Sequence, residues 1–181
     1  MDNKMSFDYF WNEAKVDIFR LQLLDTYLVE SEKENFDKYN RGEYVEDSQT
    51  FIEWKNQIKE KSSQGVHIIN MAVVTLPLSQ YKKFGIATAL LQTLKLGQES
   101  FYVEREKVSN EIKGFEDYWM FDRKVVIKMK YDEYGHFLKM EDAISNAGEV
   151  KRYVILRDSL LKKALPLLKF LEVNNIQITK T

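Results

Sequence analysis

At 181 residues, with 44% hydrophobic and 30% charged side chains, the chain has the composition of one ordinary globular core, which argues against wholesale disorder. Its 27 basic residues nearly balance 28 acidic ones for a net charge of -1, so nucleic-acid binding through bulk positive charge is not expected. There is no cysteine, which removes disulfide frameworks, thiolate nucleophiles and every cysteine-ligated zinc or iron–sulfur site.

The two histidines, His67 and His136, lie far apart and neither has a second histidine at helical or hairpin spacing. No metal site and no cofactor is therefore expected. The opening MDNKMSFDYFW lacks an apolar segment after a basic one, and no apolar run approaches the ~20 residues that span a bilayer. These features predict a cytoplasmic protein with no membrane partner.

From Ser6 to Lys15, Phe7, Phe10, Trp11 and Ala14 recur at helical spacing, with Ser6 placed to cap. Asp17 to Val29 then alternates Ile18, Arg20 and Gln22 with Phe19, Leu21 and Leu23, the pattern of a strand with one buried face. Glu30 to Asn40 reads as a helix with Phe36 and Tyr39 inward, ended by Gly42. A clearer helix spans Asp47 to Gln64, with Phe51, Trp54, Ile58 and Lys61 on one face and Gly65 after it.

VHIINMAVVT, Val66 to Thr75, is nearly all apolar and β-branched, as a strand covered on both faces would be. Pro77 breaks that pattern, helical spacing resumes from Ser79 to Leu96, and ESFYVE (Glu99 to Glu104) is a further strand. Strand, helix, strand in this order implies a right-handed parallel βαβ unit. Asn110 to Glu116 is a loop, and FEDYWMFDRKVVIKMKYDEYGHF (Phe115 to Phe137) is a hairpin or meander, with turns at Asp122–Lys124 and Asp132–Gly135. Asn146 to Leu171 is helical, ended or kinked by Pro166. The expected fold is α/β, with α+β the alternative: a mixed sheet with a parallel βαβ part and a C-terminal hairpin, flanked by helices. Residues 1–171 form a single domain, and 172–181 a tail that is either frayed or an edge strand.

Asp117 and Asp122 bracket the aromatic strand. Neighbouring carboxylates hold a cation or split their pKa values, but aspartate is equally at home at strand ends and turns. If the chain were an enzyme, Asp117, Asp122 and Glu104 would ligate a metal, and Lys124 or Lys128 would stabilise charge. Lys82, Lys83, Arg123, Lys124, Lys128, Lys130, Lys151, Arg152, Lys162 and Lys163 read either as a phosphate-binding surface, with Tyr81, Tyr118 and Tyr131 for stacking, or as a solvated face interleaved with acids. Arg20, in an apolar strand, and Arg157, in an amphipathic helix, could clamp an anionic group or form internal ion pairs with Asp25, Asp158 or Glu104. His67 reads as a satisfied core histidine.

Two resemblances bear on this pattern. The order of elements around Asp122 resembles half of a phospholipase D-like domain, whose active members carry His-x-Lys-x-x-x-x-Asp. Here Phe115 stands at the histidine position and Asp117 at the lysine position, so the resemblance implies a relative without the catalytic nucleophile. FRLQLLDTYLVESE, the Trp54 helix, VVTLPLSQY, DYWMFD, YDEYG and RDSLLKKALP together resemble a bacterial family known as a domain of unknown function. That resemblance implies a protein partner of the helix-turn-helix regulator kind, from genes found near such regulators, and no particular chemistry.

The sequence reading is a non-catalytic regulatory or sensing protein that binds a protein partner or a small ligand near the sheet's C-terminal edges. Arg20, Trp54, Tyr118, Trp119 and Arg157 are the candidate ligand-binding residues. The alternatives are a metal-dependent phosphodiesterase or nuclease, and a partner-dependent defence or toxin-type protein.

Overall fold

The computed structural model describes residues 6–43, 49–91 and 93–178. Among these, a seven-stranded mixed sheet has the order β6-β5-β4-β1-β2-β3-β7. The strands are β1 (Asp17–Gln22), β2 (His67–Val74), β3 (Gln98–Glu104), β4 (Tyr118–Phe121), β5 (Val125–Tyr131), β6 (Phe137–Met140) and β7 (Leu165–Pro166). Six helices flank them: α1 (Phe7–Glu13), α2 (Lys33–Asn40), α3 (Gln49–Ser63), α4 (Gln80–Leu91), α5 (Ala147–Lys163) and α6 (Leu167–Val173). β1, β2 and β3 run parallel, while β4, β5 and β6 form an antiparallel meander joined to β1.

Strand alternation divides the core in two. Phe19, Leu21, Met71, Val73, Tyr118 and Met120 point to one face, where Val150, Tyr153, Leu156 and Leu160 of α5 cover them. Ile18, Ile68, Trp119, Phe121 and Ile127 point to the other, against Phe10, Trp11 and Ala14 of the α1 segment and Ile58 of α3. Farther along that second face, Ala72, Val74 and Tyr102 meet Ile86 and Ala89 of α4 and Leu167 and Phe170 of α6. β1 is thus central and buried on both sides, and the alternation read as one buried face has two.

β1 is also shorter than its sequence pattern, ending at Gln22. The Leu23 N–H donates to the Asp117 carboxylate (2.8 Å) and the Leu24 N–H to the Tyr27 hydroxyl (3.1 Å), so side chains take over from the ladder. The helix expected over 146–171 is split in two. Ala164 is extended, Leu165 and Pro166 pair with β3, and Pro166 then caps α6. Proline has no N–H to donate and disfavours helical backbone before it, which accounts for the break. α6 continues to Val173, and Ile176 and Ile178 pack on the third apolar cluster. Two sequence expectations lie partly outside the described residues: the helix start at Asp47, and the last residues, 179–181.

The α1–β1 connection is held from two sides. The buried Lys61 ammonium donates to the Asn12 (2.6 Å) and Ala14 (3.2 Å) carbonyls, satisfying acceptors left over at the end of α1. Asp122 accepts from the N–H groups of Lys15, Val16 and Asp17 at 2.8–3.1 Å. To reach them, Asp122 and Arg123 both adopt positive φ (50° and 58°), the signature of a mirror-image hairpin turn. On the α5 side, Arg157 donates to Asp17 (2.7 Å) and Asp158 (2.8 Å), with all but the Asp158 side buried.

Candidate functional site

On the second face the apolar packing is interrupted. Trp119, Arg20, Asn70 and Ser100 stand in register across β4, β1, β2 and β3, and Gln22 and Gln98 flank them on the same face. This polar row falls between the cluster under α1 and α3 and the cluster under α4 and α6. Above it lies a cavity of about 420 Å³, within the range of small-molecule sites. Phe7, Phe51, Trp54, Trp119 and Met129 wall one side; Tyr81, Lys82, Phe84, Gly85 and Thr88 of α4 wall the other.

Arg20 projects into this wall from the centre of the sheet. Its Nε is buried and has no hydrogen-bond partner, and its guanidinium lies 5.2 Å from the centre of the Trp119 ring. Burial works to lower its pKa, but the surrounding Tyr131, Tyr27, Asp117 and Tyr81 oxygens outweigh that and hold the cation more firmly. Lys82 is also buried, 4% exposed, with its ammonium 5.1 Å over the Tyr27 ring. Burial pulls its pKa down to about 8, against the pull of Asp117 and Asp25 and with the push of Arg20 and Arg105.

Asp117 closes the cluster from the start of β4. It accepts from the Leu23 N–H (2.8 Å) and from the Tyr27 hydroxyl in a short contact. Burial raises its pKa, opposed by those two hydrogen bonds and by Arg20 and Lys82. Tyr27 is held protonated by burial and by Asp117, and Tyr81, which donates to Glu32 (2.6 Å), is held so by burial and Glu32. The array is therefore two buried cations facing two carboxylates that already have phenol donors. What it can do is accept a small polar acceptor group at Arg20 while the aromatic walls cover an apolar body.

Of the sequence candidates, Arg20, Trp54 and Trp119 come together around this cavity. Tyr118 and Arg157 do not: strand alternation turns Tyr118 to the α5 face, and Arg157 belongs to α5 itself. Tyr118 is fully buried and donates to the Tyr153 carbonyl (3.2 Å), and Arg157 pairs with Asp17 and Asp158 through its terminal nitrogens, its Nε buried without a partner. The cavity also lies over the middle of the sheet, not at the strands' C-terminal edges, where Asp25, Thr75 and Arg105 bind one another instead.

The carboxylates considered for a metal are dispersed. Asp117 and Asp122 sit at opposite ends of β4, Glu104 pairs with Lys107 (2.6 Å) on a strand two places beyond β1, and Lys124 is exposed at the hairpin turn. Among the described residues no three histidine or carboxylate side chains are placed to share a cation. Lys128 and Lys130 pair with Glu116 and Glu141, Lys163 with Glu111, and Arg123 with Asp17 and Asp158, so much of the supposed basic surface is neutralised. His67 is a correction too: it opens β2 at the rim, exposed, and pairs with Glu99 (2.7 Å).

Lys82 corrects the surface reading most sharply, and its position was legible. It shares the stripe of Leu78, Ile86 and Ala89, spaced by four, four and three residues, all buried. Asn70 left a similar signal, a polar residue at the centre of a largely apolar strand, whereas Ser100 follows Gln98 and Glu99 in β3 and left none.

The fold and cavity define an α/β protein with one mixed sheet and a half-open cavity of mixed aromatic and polar lining on one helix-covered face. The chain belongs to the family described as Domain of unknown function (DUF6879), whose model matches residues 5–172. No curated protein matches it in sequence. Among solved structures it is similar to Nuc, a phospholipase D family member from Salmonella typhimurium, with 7% identity, a TM-score of 0.49 and 86% of this chain aligned to 84% of that one. It is also similar to TrmBL2, an archaeal chromatin protein with a novel mode of DNA binding, at 11% identity and a TM-score of 0.45, over 86% of this chain and 48% of that one. Both likenesses are loose, and no functional argument rests on them. Among the described residues no helix is long and apolar enough to cross a membrane.

Proposed function

We propose that this protein is a sensing module that takes a small organic ligand into the cavity between the sheet and α3 and α4. The observation that carries the reading is the buried, unpartnered Nε of Arg20 in the cavity wall. A buried donor without an acceptor costs roughly 1–3 kcal/mol, and a ligand oxygen at that point removes the cost. The regulatory half of the reading is supported by Met140. It lines the cavity and also belongs to edge strand β6, where Phe137 and Leu138 are exposed. A filled cavity would therefore bear directly on an apolar strand edge of the kind that receives partner proteins.

The test is to incubate the protein with a small-molecule extract of the cells that produce it, and to identify by accurate mass what it retains. Gly85→Leu is the control. Gly85 lines the cavity from α4, and a Cβ built there meets nothing within 4 Å, so a leucine side chain starts into open cavity space and takes up ligand volume. Compounds held by the wild type and absent from G85L support the reading, and identical profiles overturn it. Slower amide exchange in β6 on ligand addition would tie the cavity to the partner surface.

A further inference from the structure

Four features of the cavity constrain what fits it. First, the charged side chains lining it are Arg20, Lys82 and Glu32, an excess of one cation, with Asp117 behind the wall attracting both cations. That excess balances a single negative charge, whereas a dianion such as a phosphate monoester would exceed it and be opposed by Glu32 and by Asp117 behind the wall. Secondly, the guanidinium presents its free Nε beside an aromatic ring, Trp119, and a planar carboxylate matches that fork while continuing into a ring that stacks there.

Thirdly, the aromatic walls stand close together on one side of Arg20. The Trp54 and Trp119 rings are 5.9 Å apart at 72°, and Phe7 meets Trp119 at 5.2 Å, edge to face. Such a corner favours a flat apolar body over a branched or heavily hydroxylated one. Fourthly, α4 carries a glycine, Gly85, in the cavity wall. Glycine inside a helix costs about 0.5–1 kcal/mol relative to alanine, and here it leaves open space that no side chain of the protein occupies.

We propose that the cavity binds a flat aromatic or heteroaromatic monocarboxylic acid, its carboxylate on Arg20 and its ring against Trp119 and Trp54. The proposal rests on the small-ligand reading above and narrows it to one chemical class. Asn70, Ser100 and Gln98, beyond Arg20 in the polar row, then supply donors and acceptors for a ring heteroatom or hydroxyl. No bond is made or broken, and recognition alone is assigned.

The experiment is competitive equilibrium dialysis of the full chain against an equimolar mixture of carboxylate, carboxamide and phosphate-ester forms of benzene, naphthalene and indole. The expected result is enrichment of the carboxylates over the matched amides by about tenfold, a difference of ~1.4 kcal/mol, and over the phosphates by at least as much. Arg20→Met should abolish the preference for carboxylate while keeping a folded protein, and G85L should retain none of the compounds. Enrichment of amides or phosphates overturns the assigned class and leaves the small-ligand reading standing. Enrichment of no compound over G85L also overturns the class, and the extract experiment then decides separately whether the cavity holds a ligand at all. An unchanged carboxylate preference in R20M would remove Arg20 from the site.

Discussion

The two faces of the sheet are built from the same strands and do different work. On the α5 face, alternate residues of β1, β2 and β4 are apolar and close-packed with Val150, Tyr153, Leu156 and Leu160. On the opposite face, the next residue of each strand is Arg20, Asn70 or Trp119, and the packing parts around a cavity. The difference teaches that a residue's polarity within a strand is informative only together with its parity. Arg20 and Arg157 both look out of place in sequence. Both keep a buried Nε without a partner, but Arg157 pairs with Asp17 and Asp158 inside the packed layer, whereas Arg20 lines the cavity.

Four variants or conditions sharpen that contrast. The largest effect is expected on the packed face: Phe19→Ala removes a fully buried ring and should lower stability by about 3–5 kcal/mol in chemical denaturation. A loss as small as that of a surface substitution would mean the α5 face is loosely packed.

The second concerns Lys82 and pH. Its folded pKa of about 8 lies below the ordinary lysine value, so between pH 8 and about 10 the unfolded chain binds more protons than the folded one. Stability should therefore rise with pH across that window, by up to roughly 3 kcal/mol as an upper bound. Lys82→Met should flatten the rise. Above pH 10 the raised tyrosines, Tyr27 and Tyr81, reverse the slope, because they stay protonated in the fold while the unfolded chain loses those protons. A flat wild-type profile from pH 8 to 10 would place Lys82 in water.

Third, Asp122→Ala strips acceptors from three backbone N–H groups and should cost about 2 kcal/mol by thermal or chemical melts, more than a turn substitution alone. A neutral result would show that water replaces the carboxylate. The smallest effect belongs to the cavity face: Arg20→Met removes the unpartnered Nε together with the guanidinium's contacts to Tyr131 and Asp117, terms of opposite sign, so the net change in stability should be about 1 kcal/mol. A loss comparable to that of F19A would recast Arg20 as a structural residue and erase the contrast between the faces.

Much of the fold was legible along the chain. Ser6 caps α1, Gly42 and Gly65 take the positive φ that ends α2 and α3, and the apolar run at Val66–Thr75 contains β2. These features are local, each determined by spacing, capping or backbone freedom within a few residues. What escaped was set at a distance: the end of β1 is decided by Asp117, 94 residues from Leu23, and the edge strand β7 exists only because β3 is there to pair with it.

The candidate site divides the same way. Sequence alone determined that Arg20 was out of place in its strand and that Trp54 and Trp119 were candidate ligand contacts. It also determined that the absence of cysteine closes thiolate chemistry. Only the tertiary structure decided that Arg20 and both tryptophans meet, that Lys82 turns inward to join them, and that Tyr118 and Arg157 belong to the other face. The physical reason is that side-chain direction follows strand parity and helix phase, whereas convergence on one cavity depends on register between strands far apart in the chain.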